Sequence, residues 1–251
     1  MYELYFDLLP PDVLSHEQTV LDAGCGAGRW AFAISKRGPR VVAIDLGRSV
    51  ELARSNTDPA RVGCVQADLD ALPLGAETVD WAYSLGVLHH MRMPERALAD
   101  VVNAVRPGGV VVLYLYYALD ERGPLFRAIF RVVDVMRQVV SQQPRFVIRA
   151  VSGLIAALVY WPLARAAVLL ERIGAGRFAT RLPLAFYRRL SFRTMLNDSV
   201  DRFGTRLERR YTRAQMTRLM EGAGLVDVVL SGSPPFWHGM GTKPLTRASP
   251  D

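Results

Sequence analysis

Five short apolar runs punctuate the first 117 residues: Val20-Leu21, Arg40–Ile44, Arg61–Ala67, Thr78–Tyr83 and Val110–Tyr117. Their shortness and their β-branched or aromatic content predict buried strands. Between them the apolar positions recur at helical spacing. Trp30, Ala31 and Ile34 mark a helix from Ala27 to about Arg37, stopped by Gly38-Pro39. Ser49 to Arg54 is a second helix. Ala97, Leu98, Val101, Val102 and Val105 share one face of a third, Pro94–Val105, which Arg106-Pro107-Gly108-Gly109 stops. Strands that alternate with helices predict an α/β chain with a doubly wound, mostly parallel sheet. Near the end, Thr212 is placed to cap a helix whose apolar face is Met216, Leu219 and Met220. Val226–Leu230 and Phe236–Met240 then read as a closing strand pair, and the tail 246–251 as disordered.

The region between the fifth strand and that last helix breaks the rhythm. It is about ninety residues long, too long for a structureless loop in a compact domain. Leu125, Ile129, Val132, Val133, Met136 and Val139-Val140 recur at helix spacing, and a second helical run covers Phe146–Ile173. Residues 118–207 are therefore expected to be a helical insertion, with 1–117 and 208–245 as the core. Val151–Ala164 holds fourteen residues without a charge, between Arg149 and Arg165. A membrane span needs about 20 apolar residues. Pro162 is also expected to break the run, so a transmembrane helix is not predicted. Two readings remain: a substrate-covering cap, or a segment lying in a lipid interface with Tyr160-Trp161 at the boundary.

Charge sharpens the division. Residues 120–219 carry 19 Arg against 7 acids, whereas the rest of the chain is net acidic, within an overall +7. An anionic membrane surface contacted through 122–193 is one partner this permits. Arginines interleaved with Phe186, Tyr187 and Phe192 would also suit RNA, but no RNA-binding module is recognisable. Two cysteines, Cys25 and Cys64, exclude a disulfide scaffold. No secretory segment opens the sequence, so a cytoplasmic location, peripheral at the inner membrane face if the basic segment engages lipid, is expected. No His/Cys/Asp cluster has metal-ligand spacing, and no metal is predicted.

The chemistry concentrates where the first strand ends. Asp22-Ala-Gly24-Cys-Gly26-Ala-Gly28 is a carboxylate followed by three alternate glycines, then a helix start that offers unpaired N–H groups. Gly26, Gly28 and Ala31 loosely satisfy a dinucleotide fingerprint. The carboxylate ahead of the glycines would repel a pyrophosphate and welcome a cation. Asp45 closes the second strand 19 residues after Gly26, the place for a ribose-binding acid or, alternatively, a plain helix cap. Asp68-Leu69-Asp70-Ala-Leu-Pro-Leu follows the third strand, and Ser84-Leu85-Gly-Val-Leu-His89-His90 follows the fourth.

Together these segments resemble the class I S-adenosylmethionine (SAM) methyltransferases. The likeness rests on D-x-G-x-G-x-G at 22–28, the strand-end Asp45, D-x-x-x-L-P-L at 68–74, V-L-H-H at 87–90 and R-P-G-G at 106–109. The helix beginning Tyr211-Thr212 and ending at Ala223-Gly224 extends it. The resemblance implies a Rossmann-like seven-stranded sheet ordered 3-2-1-4-5-7-6, with the seventh strand antiparallel. It implies SAM as cofactor, held by Asp22, Gly24, Cys25, Gly26, Gly28, Asp45, Leu46, Asp68, Leu69, Ser84 and Leu85. In that assignment Asp68 reaches the adenine amino group, Leu69 packs on the adenine face, and Ser84 and Leu85 touch the methionine part. Cys25 reads first as a small residue filling a tight turn. His89 or His90 is the candidate general base, or else a helix cap. Residues 2–9 are expected as one or two helical turns over the sheet or a lid over the cofactor. The expected function is methyl transfer to a small hydrophobic or amphipathic acceptor of lipid, quinone, polyketide or lipid-linked sugar type. A catalytically silent partner-binding protein, an NAD-dependent oxidoreductase and an RNA methyltransferase are the alternatives.

Overall fold

The structure, a computed structural model, describes residues 2–118, 123–179, 182, 184–233 and 237–245. The tail from 246, the start of the last strand at Phe236, Pro183 and the side chains of Leu125 and Ile129 lie outside the described residues. The chain divides into two compact units: Met1–Asp120 with Arg209–Asp251, and Glu121–Glu208.

The first unit is built on a seven-stranded sheet. Its strands are β1 (Thr19–Ala23), β2 (Arg40–Asp45), β3 (Val62–Gln66), β4 (Trp81–Leu85), β5 (Val110–Tyr114), β6 (Val226–Leu230) and β7 (His238–Thr242), in the order β3-β2-β1-β4-β5-β7-β6. β1 to β5 pair in parallel, and β7 runs antiparallel to both neighbours. The reversal from β1 to β4 makes a topological switch point, which opens a crevice at the strands' carboxyl ends. Helices α1 (Arg29–Ser35), α2 (Ser49–Asn56), α3 (Pro94–Ala104) and, late in the chain, α9 (Arg213–Gly222) pack on the sheet.

Residue pattern explains these elements. β1 is a Thr-Val-Leu-Asp-Ala run buried from Val20 onward, as a central strand covered on both faces must be. α3 starts with Pro94 at its first position and turns Ala97, Leu98, Val101 and Val102 inward. α9 opens with a reciprocal cap: the Gln215 N–H donates to Thr212 Oγ1, and the Thr212 N–H donates to Gln215 Oε1. The Arg106 guanidinium pairs with Asp80, tying the turn before β5 to the loop before β4.

The second unit holds α4 (Pro124–Ser141), α5 (Arg145–Ile155), α6 (Trp161–Arg172), the short α7 (Gly176–Ala179) and α8 (Phe192–Gly204). A single π-turn, Ala156–Tyr160, joins α5 to α6, so Arg145–Arg172 is one unbroken helix of 28 residues. This corrects the expectation that Pro162 breaks the run. Pro162 falls in the first turn of α6, and a π-turn is a known way to absorb local strain in a continuing helix. The π-turn also keeps one side inward. Ile148, Ser152, Ala156, Tyr160 and Ala164 are all buried at steps of four. In a regular helix of 3.6 residues per turn a step of four drifts by about 40°, and the wider π-turn takes that drift back. The Ser199 hydroxyl of α8 donates to the Ser152 carbonyl (3.0 Å), and Tyr160 and Ala164 pack with Met195.

Leu98 is fully buried in the core around α3. Leu98→Ala is expected to cost roughly 2–5 kcal/mol, read as a lower urea midpoint with unchanged slope for the first unit's transition.

Candidate functional site

The three glycines after β1 are glycines for different reasons. All take positive φ: 95° at Gly24, 52° at Gly26 and 80° at Gly28. A Cβ on Gly24 would stand 2.3 Å from Val87 Cγ2, and one on Gly28 would stand 2.9 Å from the Ala53 backbone. Those two are set by packing against the loop after β4 and against α2. Gly26 has nothing within 4 Å of where its Cβ would be. Its bare backbone therefore faces open space, which permits close approach of a ligand.

The turn is sewn to β2. Gly24 and Cys25 N–H groups both donate to the Ile44 carbonyl (2.8 and 2.9 Å). The Gly26 N–H donates to Asp45 Oδ2 (2.8 Å), while the Gly47 N–H and Ser49 hydroxyl donate to Oδ1 (2.7 and 3.0 Å). Asp45 is thus oriented by three donors, two on Oδ1 and one on Oδ2, which leaves Oδ2 a second lone pair. The Asp68 carboxylate accepts from the Asp70 N–H (3.0 Å) at the start of a short turn after β3. Leu46, beside Asp45, leaves 64% of its surface open.

Asp22 differs from both. It is 1% exposed, and its Oδ2 has no hydrogen-bond partner among the described residues. Burial pushes its carboxyl up to about 7, the adjacent Tyr83 hydroxyl and the Ala31 amide partly oppose that, and nearby Asp45 adds to it. A buried acceptor of this kind is costly unless something satisfies it. A cation placed there would draw the carboxyl back to its ionised form.

Several predicted positions turn out to be structural. Ser84 is fully buried, and its hydroxyl donates to the Ala23 carbonyl (2.8 Å), so its side chain ties β4 to β1. Leu69 is buried in the core around α3, which leaves no open side-chain face for an adenine; Leu46 offers one instead. The Cys25 thiol is buried, its sulfur lies 3.6 Å from the Gly26 carbonyl, and burial pushes its pKa upward. It fills the turn. Leu85, half-buried, packs with the core beneath α1.

The histidine pair separates. His89 is fully buried, stacked on Tyr116 at 3.9 Å between centroids, and neither ring nitrogen has a hydrogen-bond partner among the described residues. Burial, then the neighbouring His90 and Arg210, bring its pKa down to about 2. It stays neutral and is a feeble base, which corrects its place beside His90 as a candidate. His90 is half-buried and meets Tyr116 edge-on at 5.7 Å.

Sequence reasoning missed an aromatic group around the crevice. Phe6 of the N-terminal segment meets Tyr83 (5.3 Å) and Trp30 (5.7 Å), and Tyr5 meets Trp30 and Tyr114 (both 5.1 Å). The Asp7 carboxylate accepts from the Ser231 hydroxyl (3.0 Å) and bonds His238 Nε2 (2.6 Å). The segment therefore packs on the sheet's carboxyl-end side. Tyr5 and Phe6 were visible as an apolar run, but nothing local named their partners.

Residues 21–113 match the family described as a methyltransferase domain. Malonyl-[acyl-carrier protein] O-methyltransferase of Salmonella typhimurium is 38% identical over 93 residues, 37% of each chain. The tRNA U34 carboxymethyltransferase of Marinobacter nauticus is 32% identical over 101 residues, 38% of this chain and 31% of that protein. The chain thus spans about a third of the length of these relatives. In fold it is similar to the SAM-dependent methyltransferase SibL (TM-score 0.53, 19% identity, 96% of this chain and 56% of that one). It is also similar to a chain in the complex between the Haloferax volcanii Trm112 methyltransferase activator and a methyltransferase (TM-score 0.51, 15% identity, 97% and 92% of the chains). Residues 21–113 are accordingly similar to a methyltransferase domain, and the fold is shared with a SAM-dependent methyltransferase.

The residues present fit SAM. The orphaned, buried Asp22 carboxylate suits a ligand carrying an ammonium and a sulfonium, and the open cradle at Gly26 suits close approach.

The raised Asp22 carboxyl has a stability consequence. Its folded pKa of about 7 lies above the unfolded value near 4. The folded state then binds more protons than the unfolded one between those values, so stability falls as pH rises from about 4 to 7, by roughly 1.4 kcal/mol per unit at most. The ligand-free Asp22→Asn protein is expected to be more stable than wild type at pH 8 and equal to it near pH 4. Urea denaturation at the two pH values reads this.

Proposed function

We propose that this chain transfers the methyl group of SAM to a small hydrophobic or amphipathic acceptor. The observation that carries the first half is the clustering of Asp22, the Gly24–Gly28 turn and Asp45 at the carboxyl ends of β1 and β2. In this reading Asp22 takes the cationic amino-acid end of the cofactor. Asp45 accepts the ribose hydroxyls, Asp68 takes the adenine amino group, and Leu46 packs on the adenine. The backbone at Gly26 lies beside the ligand. Bound SAM supplies an electrophilic methyl carbon on a positively charged sulfur. The acceptor's O, N or C nucleophile bonds to that carbon as the carbon–sulfur bond breaks, and the electron pair stays on sulfur as a neutral thioether. Positioning alone supplies much of such a rate enhancement. Where the acceptor must lose a proton, we assign its receipt to His90, the half-buried member of the pair.

The acceptor class rests on the second unit. Its described residues expose Phe146, Leu158, Phe178 and Phe186 among arginines, a surface suited to an apolar, negatively charged molecule. The two curated relatives are named for an acyl-carrier-bound malonyl group and for a tRNA base, so acceptor identity is not set by the shared domain.

The full chain with methyl-tritiated SAM and an extract of the producing cells tests this reading. Label is expected in the organic-solvent fraction. Label in RNA, or no transfer despite intact S-adenosylhomocysteine binding, would overturn it. Once an acceptor is in hand, His90→Gln is expected to lower kcat at least tenfold at saturating SAM with the KM for SAM unchanged, whereas an unchanged kcat would remove His90 from the reaction.

A further inference from the structure

The second unit presents apolar side chains outward on two helices. In α4, Val132, Val135, Met136 and Val139 fall at i, i+3, i+4 and i+7, the spacing of a core-facing stripe. Yet these four are 48–63% exposed, and it is Arg137 that is buried, donating to Asp134 (2.8 Å) and to the Thr205 carbonyl (2.8 Å). Its inward side is lined by Arg137 and Ser141, with Val133 and Val140 partly covered. In the long helix Arg145–Arg172, only 22% of its most apolar window is buried. The inward line from Ile148 to Ala164 is narrow, and Phe146, Leu154, Leu158 and Leu169 point away from it with 60–74% of their surface open. Contiguous exposed apolar surface of this kind marks an interaction site.

Charge identifies the occupant. Residues 121–208 hold 15 Arg, no Lys and 6 acids, whereas the rest of the chain is nearly balanced. The arginines interleave with the apolar side chains. Arg149 and Arg165 are exposed on the long helix, and the Arg165 guanidinium lies 4.1 Å over the Trp161 ring, which itself meets Phe192 at 5.8 Å. Trp with Arg at the edge of an apolar face is the composition of a segment at headgroup depth. Cationic side chains there are drawn to anionic lipid.

The structure corrects the length argument against a span: 28 unbroken helical residues, about 42 Å at 1.5 Å each, exceed what a bilayer requires. A span is disfavoured on other grounds. It would place the exposed Arg149 or Arg165 in hydrocarbon. The buried line of the helix is also committed to α8, which carries Asp198, Asp201 and Arg202.

We propose that the 121–208 unit lies on an anionic bilayer. The outward faces of α4 and of the Arg145–Arg172 helix would enter the boundary between headgroups and acyl chains, with arginines at the phosphates. This stands on the second unit alone and is independent of methyl transfer.

Co-sedimentation of the full chain with vesicles of phosphatidylcholine, with and without 30 mol% phosphatidylglycerol, tests it. Binding to the anionic vesicles is expected, much weaker on phosphatidylcholine alone and weakened by salt. Leu154→Glu/Leu158→Glu and, separately, Arg149→Glu/Arg165→Glu are each expected to reduce partitioning on the order of tenfold. Their helicity and melting should match wild type, since these positions are exposed. Salt-resistant retention after an alkaline wash would replace the interfacial reading with a span. No sedimentation, or lipid-free self-association that the Leu154→Glu/Leu158→Glu pair abolishes, would overturn the proposal in favour of a second copy as the occupant. S-adenosylhomocysteine titration on the same preparations separates this outcome from failure of the methyltransferase reading.

Discussion

A carboxylate with nowhere to put its charge sits at the centre of this protein. Asp22 is the penultimate residue of β1, the central one of the five parallel strands, fully enclosed, with one oxygen lacking a partner among the described residues. A fold gains nothing from such a group, so its presence points to a ligand that repairs it. Much of the surrounding architecture serves to keep that position available. The β1–β4 reversal opens the crevice, Gly24 allows Val87 to pack against the turn, Gly28 admits α2, and Gly26 leaves its own side bare.

Asp45 complements Asp22. One acid is buried, unsatisfied and shifted toward protonation; the other is half-exposed, braced by Gly26, Gly47 and Ser49, and rigid. The Gly26 amide links them, since the same turn that follows Asp22 donates to Asp45. Register does the rest: Asp22 pairs with Ala43 and Tyr83, and Asp45 stands two residues beyond Ala43, so the acids share one end of the sheet.

What could be read from the sequence was what depends on near neighbours along the chain. The strand–glycine–helix unit, the Thr212 cap and the strand order implied by the family resemblance all recur in the structure. What could not be read depends on residues far apart. Ser84 looks like a ligand residue until its hydroxyl is found on the Ala23 carbonyl, 61 positions away. His89 and His90 are identical in type and adjacent, yet one is sealed beneath Tyr116 and the other is not. Leu69 and Leu46 exchange the role of open apolar surface for the same reason. Pro162 was misleading in another way. A proline in a helical pattern ordinarily ends it, and only the backbone shows the π-turn that absorbs it. That turn makes one long helix of two short segments and changes how the second unit can meet its surroundings.

Calorimetric titration with S-adenosylhomocysteine, SAM and NADH, on wild type and Asp45→Ala, reaches the central claim most directly. A cofactor site organised by Asp22 and Asp45 predicts binding of both SAM-type ligands, loss of at least tenfold in affinity in the variant, and no heat with NADH. Failure of both SAM-type ligands to bind a folded wild-type protein would contradict it, and NADH binding in their place would turn the site into a dinucleotide pocket.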